Sequence, residues 1–223
     1  MRPEAVIFDI DGTLIDSVDL HARAWVQAFA HFGYHIPFEE VRPQIGKGGD
    51  QLIPAFIPAE VLRQIGHELE HYRSDLFKRT YLPHVKPFPK VRELFLKIRE
   101  NDQRIALASS GKKDEVKEYK RIAQITDLVD VETSADDAER SKPAPDILEA
   151  VLAKLFPLLP SSHVLVVGDT PYDAEAAHKV NLKTVGLLCG GTPLERLRAA
   201  GCIAVFHSPA NLLAHYDASP LSR

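Results

Sequence analysis

The chain repeats one alternation, a short continuous apolar run followed by a stretch whose apolar residues recur at helical spacing. The runs are Ala5–Phe8, Arg104–Ala108, Leu128–Val131, His163–Val167, Lys183–Leu188 and Ile203–Phe206. In "RIALASS" and "HVLVVGD" the apolar residues are successive rather than alternate, as in parallel strands covered by helices on both faces. Between runs, Val91, Leu94, Phe95 and Ile98 share one helical face, and Ile147, Leu148, Val151, Leu152 and Leu155 share another. This alternation predicts an α/β fold, a doubly wound, Rossmann-like parallel sheet.

One long interval breaks the rhythm, between the first run and the second. Ser17 is placed as an N-cap and Gly33 as a C′ stop, bracketing the helix "VDLHARAWVQAFAHF". Further on, Leu62, Ile65, Leu69, Tyr72 and Leu76 repeat at spacings of three and four, a helix with one buried stripe. The interval therefore reads as an inserted α-helical cap. The expected division is residues 16–86 for the cap, and 1–15 with 87–223 for the α/β core. "PHVKPFP" would be a proline-stiffened return to the core.

The first strand, "AVIFDIDGTLIDS", ends abruptly in Asp9 and Asp11 before turning at Gly12-Thr13. Carboxylates this close repel one another unless a metal or chemistry uses them. In open parallel sheets ligands bind beyond the carboxyl ends of the strands. At those ends stand Asp9 and Asp11, then Ser109-Ser110-Gly111-Lys112, then Asp169-Thr170-Pro171-Tyr172-Asp173. "SKPAPD" adds Lys142 in a proline-restricted loop. Taken singly, Asp169 or Thr170 could cap a helix beginning at Pro171, Ser109-Ser110 could be a polar turn, and Lys142 could be a surface lysine. Taken together they form one site.

Oxygen donors of this kind suit Mg²⁺, a hard cation that keeps several waters. Asp9 and Asp169 can ligate it with a backbone carbonyl of the first loop and support from Asp173. Asp9 can then attack a phosphorus as nucleophile, and Asp11 can protonate the leaving oxygen and later activate water. Ser109 and Lys142 stabilise charge on the phosphoryl oxygens. Asp9, Asp11, Ser109 and Lys142 are thus the expected catalytic residues, and Asp9, Asp11, Asp169 and Asp173 the expected metal site.

"DIDGT", strand-terminal Ser109, "SKPAPD" and "GDTPYD" resemble the four motifs of the haloacid dehalogenase superfamily. The helical insert resembles the cap of its phosphoglycolate phosphatase and β-phosphoglucomutase branch. The resemblance implies a core strand order of 3-2-1-4-5, the catalytic roles just given, and Thr13 tuning the first loop. The resemblance disfavours dehalogenation, because the first motif of the dehalogenases lacks a second aspartate and this chain has Asp11.

Thr13, His21, Lys47, Ser110, Gly111 and Lys112 are the expected substrate contacts. His21, Trp25, Phe29 and Phe32 fall on one helical face, so His21 would reach the site as the cap closes, or else simply edge a packed stripe. "HARAW" is similar to the matching segment of β-phosphoglucomutases. "IGKGGD" follows no strand and is no nucleotide fingerprint; it presents Lys47 or is an ordinary interhelical turn. That loop carries no arginine like the one β-phosphoglucomutases use for a second phosphate. "CGGTP", from Cys189, reads as a turn into a helix.

The net charge of −4 argues against a nucleic-acid or anionic-membrane partner. Cys189 and Cys202 lack metal-ligand spacing and read as reduced thiols. No apolar run approaches the roughly 20 residues that span a bilayer. A cytoplasmic, Mg²⁺-dependent phosphatase of a small phosphate ester is expected, monomeric with a dimer as the alternative. A sugar phosphomutase is the second reading. A non-catalytic phosphate-binding protein and a receiver-type phospho-acceptor fit less well, the first because the acid set is intact and the second because of the cap.

Overall fold

The computed structural model describes residues 2–155 and 163–223. Its strands are β1 (Ala5–Phe8), β2 (Ile15–Asp16), β3 (Lys86–Pro87), β4 (Arg104–Ala108), β5 (Val131–Thr133), β6 (Val164–Gly168), β7 (Lys183–Leu187) and β8 (Ala204–Phe206). The helices are α1 (Val18–His31), α2 (Phe38–Val41), α3 (Gly49–Leu52), α4 (Ala59–Leu76), α5 (Val91–Glu100), α6 (Lys113–Ile122), α7 (Asp146–Leu155), α8 (Pro171–Lys179), α9 (Leu194–Ala199) and α10 (Pro209–Ala214). The main sheet is parallel, in the order β5-β4-β1-β6-β7-β8. Leaving aside the short pair β2 and β3, this is the implied 3-2-1-4-5 order with one more strand on the end.

Period-two alternation along β1 explains its continuous apolarity. Val6 and Phe8 face a cluster that takes in Phe95 and Ile98 of α5 and Val116 of α6. Ala5 and Ile7 face the other side, against Ile147 and Val151 of α7 and Ala177 of α8. Both faces of the strand are therefore buried, and no polar position is left along it.

The third sheet strand differs from the sequence expectation. It was expected over Leu128–Val131 and runs over Val131–Thr133, with Ala106 opposite Val131 and Ala108 opposite Thr133. Leu128 donates its N–H to Ile125 O in a turn, and its side chain plugs the core beside α6. Asp130 exchanges backbone and carboxylate hydrogen bonds with Ile105 at the strand's entry. β5 is an edge strand open to solvent on one side, so "VET" needs no apolar run.

Helices α1 to α4 lie between β2 and β3 in the chain. They enclose a separate apolar cluster that includes Trp25, Phe29, Leu52, Ile53 and Leu69. The chain leaves for this unit and returns from it side by side, because β2 and β3 pair antiparallel, Ile15 opposite Pro87 and Asp16 opposite Lys86. Gly33, at φ +86°, follows the end of α1 as expected of a C′ glycine. Among the described residues no helix is long and apolar enough to cross a membrane.

Candidate active site

β1 and β6 are neighbours, so the residues just beyond them meet. Asp9 follows β1 and Asp169 follows β6, while Asp173 sits in the first turn of α8. Each offers a carboxylate oxygen, and these oxygens lie within 4.8 Å of one another with all three residues buried. Thr13, with no exposed surface, stands between two of them, its Oγ1 3.1 Å from Asp9 Oδ2 and 3.0 Å from Asp169 Oδ1. Thr13 was expected to touch substrate; the turn at Gly12 buries it beneath the carboxylates instead.

Lys142 is 1% exposed. Its Nζ donates to Asp9 Oδ1 at 2.6 Å and to Ala108 O at 2.8 Å, and pairs with Asp173 Oδ1 at 2.7 Å. Close backbone seals the back of the cluster. A Cβ on Gly190 would stand 1.7 Å from Asp169 Oδ2, and one on Gly12 would stand 2.3 Å from it. Gly12 also has φ +86°, so the turn itself requires glycine.

Burial pushes the Asp9 carboxyl up to about 7 against the pull of Lys142, with repulsion from Asp173 and Asp11 adding to it. Asp169 is raised well above the ordinary carboxylate range by burial and by Asp9 and Asp173. Burial would lower Lys142, but Asp173 and Asp9 hold it above its usual value. One lysine thus faces three buried carboxylates. This excess of desolvated negative charge around an all-oxygen donor set fits a hard divalent cation.

Asp11 does not join that cluster, contrary to its expected place in the metal site. Its Oδ1 accepts from Ser17 Oγ at 2.5 Å and lies 2.9 Å from His21 Nε2. Ser17 holds the N-cap position of α1 but spends its hydroxyl on Asp11 rather than on the helix. Burial alone would raise Asp11; His21, Ser17 and Arg73 hold it below its ordinary value.

A cavity of about 270 Å³ opens over Asp9 and Asp11. His21, Lys47, Ser110, Gly111 and Lys112 all line it. Ser109 lies buried below, its Oγ accepting the Gly111 N–H at 3.0 Å. Lys47 donates to Gln44 Oε1 at 2.6 Å and sits 4.7 Å over the Tyr172 ring. The cysteines are both free. Cys189 packs behind the site, its thiol donating to Gly12 O at 3.2 Å and pushed up to about 12 by burial.

The family model described as haloacid dehalogenase-like hydrolase matches residues 6–187, from β1 through β7. The chain belongs to the haloacid dehalogenase-like hydrolases. A phosphoglycolate phosphatase of Yersinia pestis is 30% identical over 219 residues, covering 95% of this chain and 89% of its own. A phosphorylated carbohydrates phosphatase of Thermotoga maritima is 27% identical over 206 residues, covering 91% and 93%. The crystal structure of a hydrolase from Pseudomonas syringae superposes with a TM-score of 0.86 at 27% identity, over 96% of this chain and 98% of that one.

The haloacid dehalogenase-like hydrolase carries three further residues around its cavity that the sequence reading did not single out. Arg73 of α4 meets His21 Nδ1 and donates to Glu115 Oε1 of α6 at 3.3 Å. Since arginine can only donate, Nδ1 of His21 is an acceptor and its Nε2 carries the hydrogen offered to Asp11. Tyr119, one turn beyond Glu115, brings its hydroxyl 2.8 Å from that Nε2. The ring of His21 stacks on Phe77 at 4.0 Å, which fixes its plane.

Proposed function

We propose that this hydrolase is a Mg²⁺-dependent phosphatase of a small phosphorylated metabolite, working through an aspartyl-phosphate on Asp9. The observation that carries the reading is the buried cluster of Asp9, Asp169 and Asp173, with Lys142 among them, which opens to the cavity through Asp9. Asp9 and Asp169 would hold the cation, with Asp173 supporting. When bound, Mg²⁺ offsets the negative charge of the substrate phosphate and orients it.

The remaining steps belong to side chains. A carboxylate oxygen of Asp9 forms a bond to phosphorus as the bond from phosphorus to the ester oxygen breaks. His21, Ser17 and Arg73 favour Asp11 as a carboxylate in the free site, and the negative charge of an arriving phosphate opposes them, so Asp11 takes up a proton and gives it to the departing alkoxide, which leaves as an alcohol. Water then attacks the phosphorus of the aspartyl-phosphate, Asp11 takes its proton, and Asp9 is restored. Lys142 stabilises Asp9 as a carboxylate and balances charge on the phosphoryl oxygens. The Gly111 N–H is held by Ser109 Oγ, which positions the loop that rims the phosphate end of the cavity.

Phosphate release across a panel of phosphate esters, with and without Mg²⁺, tests the proposal. Release confined to the Mg²⁺ arm supports it, and no release from any ester refutes it.

A mutase reading draws on Arg73, since α4 supplies the arginine that the cap loop lacks. Its guanidinium is already engaged by Glu115 and His21, so it offers no free fork for a second phosphate. Hydrolysis remains the favoured reading. With β-glucose 1-phosphate and a trace of bisphosphate primer, free phosphate should appear without glucose 6-phosphate; accumulating glucose 6-phosphate would reverse the choice.

A further inference from the structure

Away from Asp9 and Asp11, the cavity wall carries more acid than base. Lys47, Arg73 and Lys112 face Asp50, Glu70, Glu115, Asp136 and Glu139. Arg73 is the one arginine lining the cavity among the described residues. Its side chain is 13% exposed and that of Glu115 1%, so the pair between them is largely desolvated. The guanidinium also lies 5.2 Å from the Trp25 ring and 5.1 Å from the Phe77 ring, which lock its plane. A removed partner would leave a buried charge unmatched, so the pair holds together.

Arg73 is the natural receptor for a second anionic group on the substrate, because a guanidinium grips carboxylate or phosphate with two parallel bonds. Glu115 takes one of those bonds through Nη1 and sets its own charge against that of the arginine, while Nη2 meets His21. A carboxylate carried on the leaving group would therefore meet a neutralised arginine and the carboxylates of Asp50 and Glu70 nearby. Hydroxyl groups meet the opposite situation, since every carboxylate on the wall accepts hydrogen bonds. The volume of about 270 Å³ matches roughly nine liquid waters and falls just under the range of drug-sized ligands, enough for one short phosphorylated polyol.

We propose that Glu115, by neutralising Arg73, is a specificity-determining residue that selects uncharged polyol or sugar phosphates over esters bearing a second anionic group. The inference rests on the phosphatase reading and adds to it the chemical class of the leaving group.

The test uses a matched pair, glycerol 3-phosphate and 3-phosphoglycerate, which differ by a hydroxymethyl against a carboxylate. With Mg²⁺, kcat/KM is measured for both and for p-nitrophenyl phosphate, which carries neither group. Wild-type protein should prefer glycerol 3-phosphate about tenfold or more. Glu115→Gln should shift the ratio toward 3-phosphoglycerate by roughly threefold or more, the size expected for removing one charge near a partly solvated anion. If Glu115→Gln does not melt cooperatively, Glu115→Asp decides the matter, since it keeps the charge but draws it back from Arg73 and should move the ratio the same way. A wild-type preference for 3-phosphoglycerate, or an unmoved ratio in the folded variant, overturns the proposal. No release from any of the three, p-nitrophenyl phosphate included, removes the phosphatase reading and this proposal together.

Discussion

Lys142 is the residue on which the acid cluster depends, since among the described residues it alone matches the charge of Asp9 and Asp173 at contact distance. Lys142→Met should cost about 3–5 kcal/mol in urea unfolding of the metal-free protein, the usual effect of orphaning buried carboxylates. A loss below about 1 kcal/mol would show that the pairings contribute little. Asp9 has a folded-state value of about 7 against 3.8 as its ordinary value. A group raised on folding favours the folded state fully below its unfolded value, and that contribution is lost as pH rises through the folded value. The metal-free protein should therefore melt at a lower temperature at pH 8 than at pH 5.5, and Mg²⁺ should restore more stability at pH 8. Equal Mg²⁺ stabilisation at both would contradict the account. Asp9, Asp11 and Asp169 were legible because strand ends concentrate functional groups and each stands at or just past one, and Lys142 because its proline-restricted loop reads as part of the same set. Arg73 and Glu115 were not, because each looks like an ordinary charge on an amphipathic helix. A signal did exist for Arg73, which lies four residues after Leu69 and three before Leu76 and so on the buried stripe itself.

At the scale of elements, α8 joins capping to chemistry. Thr170 N-caps the helix and donates its hydroxyl to Asp173 Oδ2 at 2.7 Å, while the Thr170 N–H donates to the same oxygen at 3.1 Å. The same residues that start the helix thus aim a carboxylate at the cluster, so the alternatives of cap and site residue at this position coincide. Thr170→Ala should lower stability by about 1 kcal/mol and weaken Mg²⁺ binding through a looser Asp173. A stability loss with unchanged Mg²⁺ affinity would separate the two roles. The buried strands were readable because both their faces are covered, which forces a continuous apolar run. β5 was misplaced because an edge strand lacks that constraint, and the nearby Leu128 is apolar for a different reason, plugging the end of α6. Ser17 was read as a cap from its position; its hydroxyl went to Asp11 because an ionised carboxylate is the stronger acceptor.

Across the whole molecule, the helical insert meets the core in two ways, through an apolar contact in which Leu76, Phe77 and Tyr81 share a buried cluster with Phe8 and Phe95, and through polar contacts near the site. Arg42 Nη2 donates to Gly190 O at 3.1 Å, Tyr172 Oη to Pro43 O at 2.8 Å, and the Ser141 N–H to Asp50 Oδ2 at 3.0 Å. Arg73 to Glu115 joins the same two units. The polar contacts break and remake more easily than the apolar one, which therefore stays as the pivot, and the paired segments β2 and β3 give the chain one place to bend. We propose residues 16–86 as a cap that opens about this pair to admit substrate and closes to exclude water. Scattering should report a more compact particle with Mg²⁺ and a phosphate mimic than without; identical profiles would count against a large closure. The alternation of strand and helix made the core legible from sequence. The way the insert sits on it was not, because single hydrogen bonds between distant segments leave no periodic trace.

The central claim is that Asp9 is the nucleophile of a Mg²⁺-dependent phosphatase, and it is tested most directly by phosphate release from Asp9→Asn beside wild type on the best ester of the panel. The substitution nearly preserves shape while removing both the nucleophile and a cation ligand. Turnover is predicted to fall by about a thousandfold or more, with the circular dichroism spectrum and cooperative melting retained. A folded Asp9→Asn protein that releases phosphate at the wild-type rate would contradict the mechanism.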